Sequence, residues 1–273
     1  MTGTAMTNLH RELAPVSASA WSGIEDEARR ALTLHLAARR VVDVREPAGI
    51  GLSAVGTGHL TSVEPPAAGV TARLREVRPV AELRASFRLD RAAIDDVERG
   101  ARDADWHPVR DAARAIALAE DRVIIDGYPA ARIAGIEPSS PHPPLPLPAS
   151  ALGYPETLER AMDLLRAAGV GGPGVLLLGP AAYAAASQTT DAGHPVRDLL
   201  AGLVGSDVIW APALDGGLLV SARGGDYELH PGQDFSIGYL SHDADGVDLY
   251  LQESLTFLVH TTEAAVPLTA PAG

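Results

Sequence analysis

Apolar residues recur along this chain with two different periods, and each period predicts a different kind of element. Trp21, Ile24, Ala28, Leu32 and Leu36 return every three or four residues, while Glu25, Asp26, Glu27, Arg29 and Arg30 take the other side. That spacing predicts an amphipathic helix from Ser17 to Arg40, with Ser17 as N-cap behind Pro15. A second stripe, Val109, Ala112, Ala113, Ile116, Ala119 and Val123, predicts a helix from His107 to Ile125 with Pro108 in its first turn. Between the two, Leu83, Ala85, Phe87 and Leu89 alternate with Arg84, Ser86 and Arg88, the period of a half-buried strand. Val41 to Val44 reads as a further strand.

Other stretches lack a helical period. From Arg45 to Pro79 the chain is rich in Gly, Pro, Ser and Thr with short Val and Leu clusters, too long for an ordinary connection. It reads as an extended, hairpin-like excursion. Pro138 to Pro148, PSSPHPPLPLP, reads as a rigid connector unable to form a helix or a central strand. Beyond it comes an α/β alternation: helices at 155–169, 181–188 and 196–204, and strands at 175–178, 208–210 and 218–221. The end of the chain reads as all-β, with strands at 227–229, 235–240 and 247–259, the last entered through a turn at Asp243–Gly246.

Composition narrows the function. The chain has 273 residues, 46% hydrophobic and 21% charged, with a net charge of −13 and no cysteine. It is long enough for a substantial core. Disulfides and thiolate chemistry are excluded, and cysteine-free chains suit a reducing cytoplasm. All 22 basic residues are arginine, so Schiff-base catalysis and a Walker-type phosphate lysine are excluded too. The acidic balance argues against nucleic acid as a partner. No apolar run approaches a membrane span, and no secretory leader is visible.

Candidate chemistry is sparse. Gly49-Ile50-Gly51-Leu52-Ser53-Ala54 imitates a dinucleotide loop, but the residues after it, Val55 to Gly58, do not open the helix that the pyrophosphate needs. His242-Asp243 and Asp243-Ala244-Asp245-Gly246 read as a turn, since further metal ligands and the closing Glu of a calcium loop are missing. Arg223-Gly224-Gly225-Asp226 reads as a glycine-mediated strand entry. No nucleophile elbow or zinc-protease motif is present. A hydrolase with a site between the 138–222 module and the C-terminal β region is the alternative reading, without a nominated nucleophile.

Several segments together resemble the encapsulins, shell proteins of bacterial and archaeal nanocompartments. They are Asn8 to Pro15 (NLHRELAP), Arg39 to Val44 (RRVVDV), Gly174 to Gly179 (GVLLLG), Trp210 to Leu214 (WAPAL), and above all Arg223 to Leu229 (RGGDYEL) with Gly232 to Tyr239 (GQDFSIGY). They run collinearly over essentially the whole chain. The resemblance implies an α+β protein with the tailed-phage major capsid fold named after phage Hong Kong 97. Residues 1–44, 79–137 and 223–273 would form its peripheral domain, residues 45–78 its extended loop, and residues 138–222 its axial domain. Departures are Gly56 for the usual Asn, Gly174 for the usual Tyr, and Ala92 where some relatives carry a flavin-binding Trp, so no cofactor is expected. Met6 is a candidate natural start.

The resemblance also implies a non-enzymatic function. The chain is expected to assemble with itself into an icosahedral shell, T=1 with about 60 copies, in the cytoplasm, without nucleic acid or membrane. Its cargo is expected to be a dye-decolourising peroxidase or a ferritin-like protein bearing a C-terminal targeting peptide. Arg39, Asp43, Asp234 and Ile237 are the expected docking residues for that peptide. Asp191, Gly193 and His194 are expected in the loop lining the fivefold pore, where a ring of histidines would change charge between about pH 5 and 8.

Overall fold

The computed structural model describes residues 8–271; Met6 and the outermost residues of the expected peripheral domain lie outside the described residues. Helix α1 (Ala18–His35) starts where the pattern predicts, with the Ser17 hydroxyl accepting the Ala20 amide at 3.2 Å. It stops five residues early. The amides of Ala37 and Ala38 donate instead to the buried carboxylate of Asp121, each at 3.0 Å, and a 3₁₀ turn at Ala38–Arg40 carries the chain away. A tertiary acceptor has replaced the helical one. Strand β1 is only Asp43–Val44, because residues 41 and 42 lie between that turn and the sheet.

The excursion is a hairpin of β2 (Ala54–Val63) and β3 (Ala72–Pro79), paired only with each other and irregular between Gly56 and Leu60. Its apolar residues stay in solvent: Leu60 is 52% and Leu74 60% exposed. β4 (Ala81–Asp90) alternates as predicted, burying Phe87 and Leu89. A short helix α2 (Arg91–Glu98) follows, and α3 (His107–Ile125) has the predicted limits.

The Pro-rich stretch corrects the expectation made of it. Pro138 sits inside the single turn α4 (Ile136–Ser139), where a first-turn residue has no intrahelical N–H partner to lose. β5 (Leu145–Pro146) is a sheet edge, and Leu145 and Leu147 are buried. The next module runs α5 (Tyr154–Ala167), β6 (Gly174–Leu178), α6 (Pro180–Gln188), β7 (Thr190–Asp191), β8 (His194–Pro195), α7 (Val196–Val204), β9 (Val208–Trp210) and β10 (Gly217–Ser221). The chain closes with β11 (Tyr227–Pro231), β12 (Ser236–His242), β13 (Gly246–Val259) and β14 (Ala265–Thr269).

Two five-stranded sheets organise these pieces. In the first, the order is β1-β11-β13-β12, and the long β13 also takes β4 over ten register pairs from Gly246↔Asp90 to Leu255↔Ala81. Helices α1 and α3 cover it, and Ile24, Ile116, Leu89 and Leu249 share that core. The second sheet has the order β5-β14-β10-β6-β9. The C-terminal segment contributes to both sheets. Residues 223–273 do not stay with the first sheet, because β14 crosses into the second, pairing Leu219 with Val266 and Leu268 with Leu145. A run of Val266, Pro267 and Leu268 buried on every residue fits an interior strand whose neighbours hydrogen-bond around the proline.

Candidate functional site

A groove of about 560 Å³ opens between α1 and the start of β12. Its floor is apolar: Leu9, Ala28, Leu32, Leu36, Phe235, Ile237 and Leu251. The helical stripe supplies Ala28, Leu32 and Leu36, of which the last lies just past the end of α1. Leu9 is delivered by the segment before α1, which is tied to the sheet. The Tyr239 amide donates to the Leu9 carbonyl at 2.8 Å, the Tyr250 hydroxyl to the Asn8 carbonyl at 3.2 Å, and the Asn8 amide group to Gln233 at 3.0 Å.

The rim is charged. Arg11 pairs with Glu25 at 2.5 Å and lies 4.1 Å over the Trp21 ring. Arg29 pairs with Asp26 at 2.7 Å, and Asp234, 43% exposed at its side chain, stands at the other end. Such a cleft suits a short peptide with apolar anchors, the polar rim fixing orientation.

Of the four expected docking residues, Ile237 lies in the floor and Asp234 on the rim. Arg39 lies behind them rather than in the opening. Its guanidinium grips buried Glu120 by Nε at 2.8 Å and Nη2 at 2.6 Å, reaches Asp234 at 2.9 Å and Glu253 at 3.4 Å, and covers the Phe235 ring at 4.7 Å. It therefore acts as a support for the groove wall. Asp43 is elsewhere: its carboxylate accepts the Gly225 amide at 2.5 Å and caps the Arg223–Asp226 turn. Neither residue pairs with the other. Leu9, Leu32, Leu36 and Phe235 were not among the expected docking residues, although Leu32 and Leu36 belong to the apolar stripe the sequence shows.

The expected pore residues form a compact tip. Asp191 and His194 face each other across β7 and β8, and Ala192 (φ 47°) with Gly193 (φ 87°) makes the two-residue turn between them. All four are exposed. No groups of three or more metal-ligating side chains gather among the described residues, and none of their helices is long and apolar enough to cross a membrane.

The family model described as "Encapsulating protein for peroxidase" matches residues 6–256. The chain belongs to the type 1 encapsulin shell family. It is 56% identical over 263 residues to the type 1 encapsulin shell protein of Rhodococcus erythropolis, covering 96% of this chain and all of that one. It is 50% identical to that of Mycobacterium tuberculosis over 97% of this chain and all of that one. Among solved structures, the virus-like particle of Pyrococcus furiosus superposes with a TM-score of 0.64 at 17% identity, covering 90% of this chain and 98% of that one. The structure named Gordonia phage Cozz superposes with a TM-score of 0.55 at 12% identity, covering 88% and 87%. The fold is thus the α+β fold of phage capsids. Encapsulin relatives are structural shell proteins, so this chain is a shell protein of a capsid-like compartment and the hydrolase alternative is set aside.

Proposed function

We propose that the chain assembles in the cytoplasm into an icosahedral T=1 shell of about 60 copies around a cargo enzyme, and that the groove between α1 and β12 receives a peptide from the cargo's C-terminus. The observation that carries this reading is the groove itself: an open apolar cleft, charged at both ends, on a chain with no other assigned chemistry. A dye-decolourising peroxidase is the first candidate cargo, since the family description names a peroxidase; a ferritin-like protein is the second. The exposed hairpin β2–β3 supports self-assembly, because a lone two-stranded sheet is marginal in water and gains stability on a neighbouring subunit. The Asp191–His194 tip is proposed to ring the fivefold pore, with containment and gating as the mechanism.

The deciding experiment co-expresses the full chain with a peroxidase bearing its C-terminal peptide, and compares wild type with Leu36→Gln. Leu36 is only partly buried, so the change places an amide in the floor without opening the core. Loading should fall at least tenfold in shells of unchanged size. Equal loading in intact shells would remove the groove from the proposal, and a particle of one or two chains would remove the shell. For the pore, His194→Ala should alter small-ion flux to the cargo without altering assembly.

A further inference from the structure

Directly behind the groove wall lies a carboxylate cluster that cargo docking does not by itself explain. Glu253 on β13 is 1% exposed and Glu120 on α3 is fully buried. Both point at a single guanidinium, that of Arg39, which also holds Asp234. The charged groups facing Glu253 are therefore Glu120 from α3, Arg39 from the 38–40 turn and Asp234 from the segment entering β12; Asp121, next to Glu120 in the chain, is turned to the Ala37 and Ala38 amides instead. One cation cannot neutralise this many acids in a dry interior.

A second observation singles out Glu253. Its Oε1 is buried and finds no hydrogen-bond donor when every carboxylate is ionised. A proton on Glu253 resolves this, because the carboxylic O–H then donates toward Glu120, its neighbour across Arg39. Burial first, and the charge of Glu120 second, push the Glu253 carboxyl well above the usual carboxylate range.

We propose that Glu253 holds a proton at neutral pH, donated toward Glu120, and that its release to solvent loosens the Arg39 clamp and with it the groove wall at Asp234–Ile237. On dissociation the O–H bond breaks, the proton leaves to water, and the cluster gains one negative charge. Three ionised carboxylates, Glu120, Glu253 and Asp234, then compete for Arg39, and the Arg39–Asp234 contact, the most exposed of its pairs, is the one that yields. Peptide uptake becomes linked to pH, an extension that rests on the groove being the docking site. The proton and the wall do not depend on that reading.

Hydrogen exchange on the assembled full-length chain tests the device without any cargo. Amide exchange of residues 233–239, corrected for the intrinsic pH effect, should rise at least tenfold in wild type as the pH is raised from neutral into the alkaline range. In Glu253→Gln, whose amide permanently donates toward Glu120, the rise should be less than twofold. Glu120→Gln, which also leaves one ionisable partner, should behave the same way and serves if Glu253→Gln assembles poorly. Wild-type exchange independent of pH would overturn the proposal, as would an equal rise in the variants. Loading of a peptide-tagged cargo across the same range tests the extension: pH-independent loading with a pH-sensitive wall would strike down only the link to docking.

Discussion

The Tyr250 ring lies flat over Gly238, its register partner across β12 and β13. A Cβ on residue 238 would fall within 2.6 Å of the ring's Cε1 and nearer still to Cζ. Arg84 also lies 4.0 Å from the ring centroid, and the Tyr250 hydroxyl donates to the Asn8 carbonyl. Gly238→Ala must push the ring off its site, costing about 1–3 kcal/mol by overpacking. Denaturant unfolding checks the cost. Hydrogen exchange at Leu9–Arg11 should rise in the same variant, since the N-terminal segment loses its Tyr250 anchor.

Arg39 is expected to matter for stability before it matters for cargo. Arg39→Ala leaves Glu120 buried without its cation, a loss of about 3–5 kcal/mol. A double-mutant cycle with Glu120→Gln should recover part of it. If Arg39→Ala is instead as stable as wild type, the clamp is not what holds α3 to the groove wall. Cargo loading in Arg39→Ala alone would confound these two effects, which is why Leu36 is the cleaner probe.

Falling and rising pH should act on different residues. Glu27 on α1 accepts from Arg30 at 2.5 Å and from Arg110 of α3 at 2.6 Å. Arg30 first and Arg110 after it hold its carboxyl below the usual range. The folded value is depressed, so this stability is present above the unfolded value, about 4.3, and is lost as pH falls through the folded one. Asp121 behaves oppositely. Burial pushes it up to about 7, so its folded form favours the neutral acid, and stability declines as pH climbs from about 4 toward 7. Thermal unfolding against pH should show an acid limb that Glu27→Gln flattens while the neutral decline stays. An unchanged acid limb in Glu27→Gln would assign that limb to other carboxylates.

Much of this architecture was legible because it is local. Helix α3 announces itself through a complete apolar stripe with Pro108 at its start, and β4 through strict alternation. The end of α1 was not legible, since the pattern runs on through Leu36 and only Asp121, 83 residues beyond Ala38, draws the amides of Ala37 and Ala38 out of the helix. β14 was missed because Val266-Pro267-Leu268 is too short to show a period and contains a residue that usually marks a loop. The groove was half legible: Ile237 and Asp234 came from a family motif, whereas Leu9 and Leu36 join it only after two distant segments pack together. The intrachain clamp of Arg39 was not legible, because its partners Glu120 and Asp234 lie 81 and 195 residues away.

The tip at residues 190–195 carries local strain. Ala192 sits at φ 47°, where a Cβ crowds the following carbonyl at a cost of about 1–2 kcal/mol. Asparagine tolerates this region better, so Ala192→Asn should stabilise the turn by about 0.5 kcal/mol or more, and a β-branched Ala192→Val should weaken it. The Val196 amide, which donates to the Thr189 carbonyl at 2.9 Å, reports the outcome by hydrogen exchange. Slower exchange in the first and faster in the second is expected. No change in either would mean the turn relaxes freely.

Cohesion of the shell must be noncovalent. Phage relatives of this fold can be locked by an isopeptide bond between a lysine and an asparagine of neighbouring subunits. This chain has no lysine, a single asparagine at position 8, and no cysteine, so neither that bond nor a disulfide can form. What remains is apolar contact, strand pairing and Arg–carboxylate pairing between copies. The hairpin supplies all three kinds of group: Leu60, Val63, Leu74 and Val77 are exposed, and Arg73 and Arg75 alternate with them along β3. Noncovalent shells should separate completely in boiling detergent without reductant, running as one band near the chain mass of 28.4 kDa. Ionic pairing should make the intact particle sensitive to denaturant in high salt, and Arg73→Glu with Arg75→Glu should lower assembly yield while leaving the folded subunit intact, as judged by circular dichroism. A ladder of multimers surviving boiling would demand a cross-link this composition does not provide, and full assembly of the doubly reversed variant would remove the arginines from the interface.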